Sequence, residues 1–148
     1  MPHIYTDASL KGETAYLYWY YDNERYTLPT DPATTVVLEL LAIKEGTKFA
    51  RSLEYNYFTI SNDCESAIAY INGGLSCTDM DMIDVIRDIR ILRGKRDENP
   101  NISYRQIPRE KNKADPNWPM KAKKKKKRKY YHRGGMTGDK CYIWKNNT

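Results

Sequence analysis

Four carboxylates stand where this sequence could do chemistry: Asp7, Glu39, Asp63 and Asp115. Each has an ordinary reading by itself. Asp7 closes a strand-like stretch and could form a turn. Glu39 interrupts an apolar helical stretch and could lie at its edge, reaching solvent. Asp63 lies between a strand and a helix, a capping position. Asp115 precedes Pro116, and proline favours the first helical position, so Asp115 could be an N-cap. Together they suggest something else. Asp7 and Asp63 fall at the C-terminal ends of strands expected to be parallel neighbours, where ligands of such sheets gather. Glu39 sits early on the helix linking those strands, and Asp115 arrives after the last strand. Like charges brought together repel, so the cluster needs a cation. Hard oxygen ligands select Mg²⁺ or Mn²⁺. Two such ions can activate a water and stabilise the leaving oxygen of a phosphodiester.

The elements that must position these acids are legible as period changes. Residues 3–9 read as a short strand ending in a polar turn, 14–21 as an aromatic strand, and 26–28 as a third strand after a turn at Asp22-Asn23-Glu24-Arg25. Val37, Leu38, Leu41, Ala42, Glu45, Phe49 and Leu53 recur at helical spacing over 34–53, with Thr34 or Thr35 offering an N-cap hydroxyl. Residues 56–61 read as a buried strand reached by a right-handed crossover. Residues 64–72 read as a second helix stopped by Gly73-Gly74, 79–93 as a third, and 101–107 as the fifth strand. This order predicts an α/β domain with a five-stranded mixed sheet, three antiparallel strands then two parallel, and helices on its faces.

Charge divides the chain. Residues 1–115 hold 14 basic and 18 acidic residues, a net −4, while 116–148 hold 11 basic and one acidic, a net +10. The first stretch reads as a catalytic domain and the second as a basic Lys-rich extension, suited to a polyanionic partner. No stretch approaches the ~18 uncharged apolar residues of a spanning helix, so no membrane partner is expected. Three widely spaced cysteines suit a reducing compartment, and with only two histidines and no CxxC pair a zinc site is not expected. A cytoplasmic location is expected, or a nuclear one, through the lysine run, if the source is eukaryotic or infects a eukaryote.

The stretches Tyr5-Thr6-Asp7-Ala8-Ser9, Thr34-Thr35-Val36-Val37-Leu38-Glu39-Leu40-Leu41-Ala42, Ser61-Asn62-Asp63-Cys64-Glu65-Ser66-Ala67 and Pro108-Arg109-Glu110-Lys111-Asn112-Lys113-Ala114-Asp115 resemble, in order, the motifs of type 1 ribonucleases H. The resemblance spans residues 3–115. It implies the ribonuclease H-like sheet, and hydrolysis of the RNA strand of an RNA/DNA hybrid by a two-metal-ion mechanism with Mg²⁺, for which Mn²⁺ can substitute. It assigns Asp7, Glu39, Asp63 and Asp115 as metal ligands. It places Thr34 against a DNA-strand phosphate and Glu65 at the RNA minor groove, with Ser9, Arg109 and Asn112 as further substrate contacts. No small-molecule cofactor is implied, and a monomer is expected.

The sequence also departs from the family. The loop before Asp115 lacks the histidine many members carry; Arg109 and Asn112 resemble a subgroup with a Pro-Arg-Glu-x-Asn loop, here slightly shortened. The glycine-rich turn after the first aspartate is reduced to Leu10-Lys11-Gly12. Thr35 and Val36 replace the residues that would read ribose hydroxyls. After Asp115 the family's amphipathic helix gives way to Pro116-Asn117-Trp118-Pro119-Met120 and a run in which Lys123, Lys124, Lys125, Lys126, Lys127 and Arg128 form a phosphate clamp, or else a solvated segment. Two other functions compete with hybrid cleavage. One is a nuclease of the same fold acting on double-stranded RNA, a DNA junction or a transposition intermediate. The other is a non-catalytic nucleic-acid-binding module.

Overall fold

The computed structural model describes residues 2–95 and 99–119. β1 (His3–Lys11) and β2 (Thr14–Tyr21) form an antiparallel hairpin turned at Gly12, whose φ of +62° suits a residue without a Cβ. β2 joins β3 (Glu24–Thr30) through Asp22 and Asn23 alone, with φ of 52° and 67°. Asp and Asn tolerate the left-handed region, which a two-residue hairpin turn demands at both positions. The turn is therefore tighter, and β3 longer, than the sequence pattern suggested. Pro29 lies in β3, an edge strand, where its missing N–H costs no ladder bond on the outer side.

α1 (Thr35–Arg51) crosses over to β4 (Tyr57–Asn62), which pairs parallel with β1; α2 (Glu65–Ile71) and α3 (Met80–Arg93) lead to β5 (Asn101–Gln106), parallel to β4. The sheet order is β3-β2-β1-β4-β5, the mixed sheet expected. The helices of the described residues build a main core with the sheet, in which Leu40, Ile43, Ile68, Ile71 and Ile89 meet Ile4, Phe58, Ile60, Ile102 and Tyr104, and a smaller one where Leu38 and Ala42 of α1 meet Ala8, Ala15 and Leu17. Gly46 lets α1 approach β1: a Cβ there would lie 2.7 Å from Thr6 Cγ2. The expected hydroxyl cap of α1 is not used. Thr34 is the N-cap residue but makes no side-chain cap bond; its carbonyl accepts the Leu38 N–H at 3.0 Å. A side-chain cap appears instead at α3, where Asp79 accepts from the amides of Asp81 and Met82. No helix among the described residues is long and apolar enough to cross a membrane.

Candidate active site

Sheet register explains how two of the acids meet. The parallel pairing of β1 with β4 runs through Tyr5 opposite Ser61. Asp7 and Asp63 each lie two residues beyond that pair, so they share one level of the sheet where the two chains leave each other. Asp7 does not end its strand as the sequence suggested. β1 continues to Lys11 against β2, with Asp7 opposite Tyr18. The antiparallel partner holds Asp7 rigid on one side, and the end of the parallel partner frees space on the other.

Glu39 joins them from α1. It is fully buried, against the ordinary expectation of an edge glutamate reaching solvent. One carboxylate oxygen from each of Asp7, Glu39 and Asp63 lies within 4.8 Å of the others. At that separation and an effective dielectric of about 20, each charged pair repels by roughly 3 kcal/mol. Three buried carboxylates at this spacing form an all-oxygen donor set, which fits a hard divalent cation such as Mg²⁺ or Mn²⁺.

Asn62 organises the trio, a role the sequence reading missed. Its Nδ2 donates to Glu39 Oε1 at 3.0 Å and reaches Thr6 O at 3.1 Å and Thr6 Oγ1 at 3.2 Å. Its Oδ1 accepts the Cys64 N–H at 2.7 Å, the start of α2. Thr6 Oγ1 in turn donates to Ser61 O at 2.9 Å. One fully buried amide thus ties β1, α1, β4 and α2 together around the acids. The available signal was positional: an amide at the end of a strand read as buried must find partners.

Asp115 is fully buried but is not among the oxygens that fall within 4.8 Å of one another. The expected meeting of four carboxylates is realised closely by three. Asp115 Oδ1 accepts the Asn117 N–H at 2.8 Å, and Oδ2 lies 3.9 Å from Arg109 Nε. Its segment is nevertheless fastened next to Asp7, since Asn112 Nδ2 donates to Thr6 O at 3.0 Å. Burial pushes the Tyr18 hydroxyl's pKa up, the Ser9 hydrogen bond opposes this, and the charges of Asp7, Tyr16 and Asp115 add to the rise. A short 3₁₀ turn (Arg109–Lys111) delivers the segment that carries Asp115.

The other expected contacts divide. Thr34, the N-cap residue of α1, and Glu65 are exposed, and Glu65 occupies the first turn of α2, where negative charge suits the helix dipole. Arg109 is mostly buried and faces Asp115. Ser9 is buried, its hydroxyl bonded to Tyr18 at 2.8 Å. Asn112, read as a substrate contact, is fully buried: Nδ2 donates to Thr6 O at 3.0 Å, and Oδ1 accepts the Ala114 N–H at 3.1 Å. Its amide fastens the loop to β1 and is turned away from solvent. Lys123, Lys124, Lys125, Lys126, Lys127 and Arg128 lie outside the described residues.

No protein-family model matches the sequence, and no curated protein matches it. Solved structures do. The ribonuclease H1 of the halophilic archaeon Halobacterium salinarum NRC-1 is similar at a TM-score of 0.65 and 17% identity, over 76% of this chain and 89% of that one. LC11-RNase H1, isolated from compost by a metagenomic approach, is similar at 0.63 and 19%, over 77% and 89%. The N-terminal RNase H domain of rv2228c from Mycobacterium tuberculosis is similar at 0.62 and 16%, over 75% and 84%. LC11-RNase H1 in complex with an RNA/DNA hybrid is similar at 0.58 and 18%, over 76% and 89%. At these identities the likeness establishes architecture, and it agrees with the strand order and crossovers described above: the chain has the ribonuclease H-like fold.

Proposed function

We propose that this protein is a divalent-metal-dependent endonuclease that hydrolyses the RNA strand of RNA/DNA hybrids. The observation that carries this reading is the buried trio Asp7, Glu39 and Asp63, converging within 4.8 Å at one level of a ribonuclease H-like sheet. Asp7, Glu39, Asp63 and the adjacent Asp115 would hold two Mg²⁺ ions, or Mn²⁺ in their place. When bound, such ions supply Lewis acidity toward a phosphodiester and lower the pKa of an attacking water. The chain's own residues supply position. Asn62 fixes Glu39 by a direct hydrogen bond. Asn112 anchors the Asp115 segment to the Thr6 carbonyl, one residue before Asp7. In this reading exposed Thr34 and Glu65 would contact the two strands of a hybrid, and the run through Lys123–Lys127 and Arg128 would supply cations for phosphates.

A broader substrate range is favoured by one feature. Thr35, which stands where a reader of ribose hydroxyls would, is only 5% exposed and so presents little to a 2′-hydroxyl. One experiment addresses both readings. Hybrid, duplex RNA, duplex DNA and junction substrates are incubated with Mg²⁺ and either the wild type or Asp63→Asn. Cleavage of the RNA strand of the hybrid by the wild type, abolished in Asp63→Asn, supports the proposal. Tight binding without cleavage of any substrate under Mg²⁺ or Mn²⁺ refutes it in favour of a binding module.

A further inference from the structure

Two cations beside the candidate site, Arg25 and Lys113, would ordinarily be read as phosphate contacts. Their surroundings say otherwise. Arg25 lies on β3, and its Nη2 donates to two carbonyl oxygens of the loop after β5, Lys113 O and Asp115 O, each at 3.1 Å. Lys113 sends its ammonium over three rings: Nζ lies 5.7 Å from the centroid of Tyr5, 5.9 Å from Tyr20 and 5.5 Å from Trp118. All are within the range of cation–π attraction.

The register makes these contacts one device. Tyr5 is opposite Tyr20 in the β1–β2 ladder, and Tyr20 is opposite Arg25 in the β2–β3 ladder. Arg25, Tyr20 and Tyr5 therefore form one row across three strands. Asp7 lies two residues from Tyr5 on the same face of β1, a separation of about 6–7 Å. The loop that carries Asp115 is fastened to the row adjoining Asp7, from one end by a guanidinium and from the middle by a caged lysine. Trp118 closes the cage with its ring, and its backbone N–H donates to Asp115 O at 2.9 Å.

We propose that Arg25 and Lys113 are positioning residues that clamp the Asp115 loop onto the sheet and so set the fourth carboxylate for a divalent ion. The inference rests on the metal-site reading given above. The clamp makes a distinction that a phosphate contact does not. A positioning pair acts on ion affinity through Asp115. A phosphate pair acts on nucleic-acid affinity and its salt dependence.

The test compares wild type, Arg25→Gln, Lys113→Met and Lys113→Arg. Mn²⁺ binding is followed by calorimetry and by the paramagnetic resonance of free Mn²⁺, without nucleic acid. Hybrid binding is measured separately in Ca²⁺ over a range of salt. Arg25→Gln and Lys113→Met should each weaken binding of Mn²⁺ at the weaker site by about tenfold, roughly 1.4 kcal/mol, while hybrid affinity and its salt slope stay near wild type. Lys113→Arg, which keeps a cation over the rings, should restore Mn²⁺ binding. Unchanged Mn²⁺ binding in both loss variants overturns the clamp. So does a fall of about one in the salt slope with no change in metal binding, the signature of a lost phosphate contact. If the wild type binds Mn²⁺ yet cleaves nothing, the nuclease reading fails, and the Mn²⁺ titrations still decide the clamp.

Discussion

Neutralising Glu39 should stabilise the metal-free protein and destabilise the metal-loaded one relative to wild type. Glu39→Gln keeps the side chain's shape, and its Oε1 can still accept from Asn62 Nδ2, the 3.0 Å bond of the native protein. What it removes is charge. Two of the three repulsions in the trio vanish, each worth roughly 3 kcal/mol at an effective dielectric of about 20. With relaxation of the metal-free site taking up part of those two repulsions, the expected stabilisation in chelator at pH 7 is ~2–4 kcal/mol. With Mn²⁺ at a ten-thousandfold excess over Kd the order should reverse, because ion binding then adds about 5.5 kcal/mol to the wild type, more than the difference in chelator, and the variant loses affinity. Urea unfolding followed by tryptophan fluorescence, in chelator and in Mn²⁺, measures all of this. A Glu39→Gln protein less stable than wild type in chelator, with no response to Mn²⁺ in either protein, would refute the argument that the acids repel one another and await a cation.

Asn62→Leu should cost about 3–5 kcal/mol in the same unfolding assay, since it strips partners from buried groups on three elements; a loss under 1 kcal/mol would show that the amide is not the organiser described. Gly46→Ala should cost ~1–3 kcal/mol through its approach to Thr6 Cγ2, and adding Thr6→Ser, which deletes that methyl, should recover part of the loss; equal stability of single and double variants would place the strain elsewhere. The Tyr104 hydroxyl is pushed up to about 12, first by burial, with the Thr47 hydrogen bond and the Arg93 charge opposing. Its folded-state pKa is raised, so its contribution is complete below pH 10 and is lost as pH rises from 10 through 12, by about 3 kcal/mol. Tyr104→Phe should flatten that alkaline decline, and an unaltered pH profile in the variant would contradict the assignment.

Four motifs in order, separated by the right elements, pointed to four acids at one place, of which the structure brings Asp7, Glu39 and Asp63 close together, and to the mixed five-stranded sheet. Alternation, helical period and crossover handedness are local or topological rules, and the chain carries them in its residue types. The structure went further where geometry depends on partners distant in sequence. β1 runs past Asp7 because β2 offers it a ladder, which a reading of residues 3–9 does not contain. Glu39 is buried, with Asn62, 23 residues on, as one of its partners. Asn112 looks from its motif like a surface contact, but its amide is turned inward by the Thr6 carbonyl, 106 residues away. Arg25 and Lys113 are ordinary surface cations in the sequence; only a shared row of the sheet brings one to two loop carbonyls and the other over three rings. The chain alone marked out the acids, of which three converge and Asp115 stays outside the close group. Tertiary structure decided which polar groups hold those acids still, because hydrogen bonds and cation–ring contacts act over a few ångströms and follow position in space, whatever the spacing along the chain.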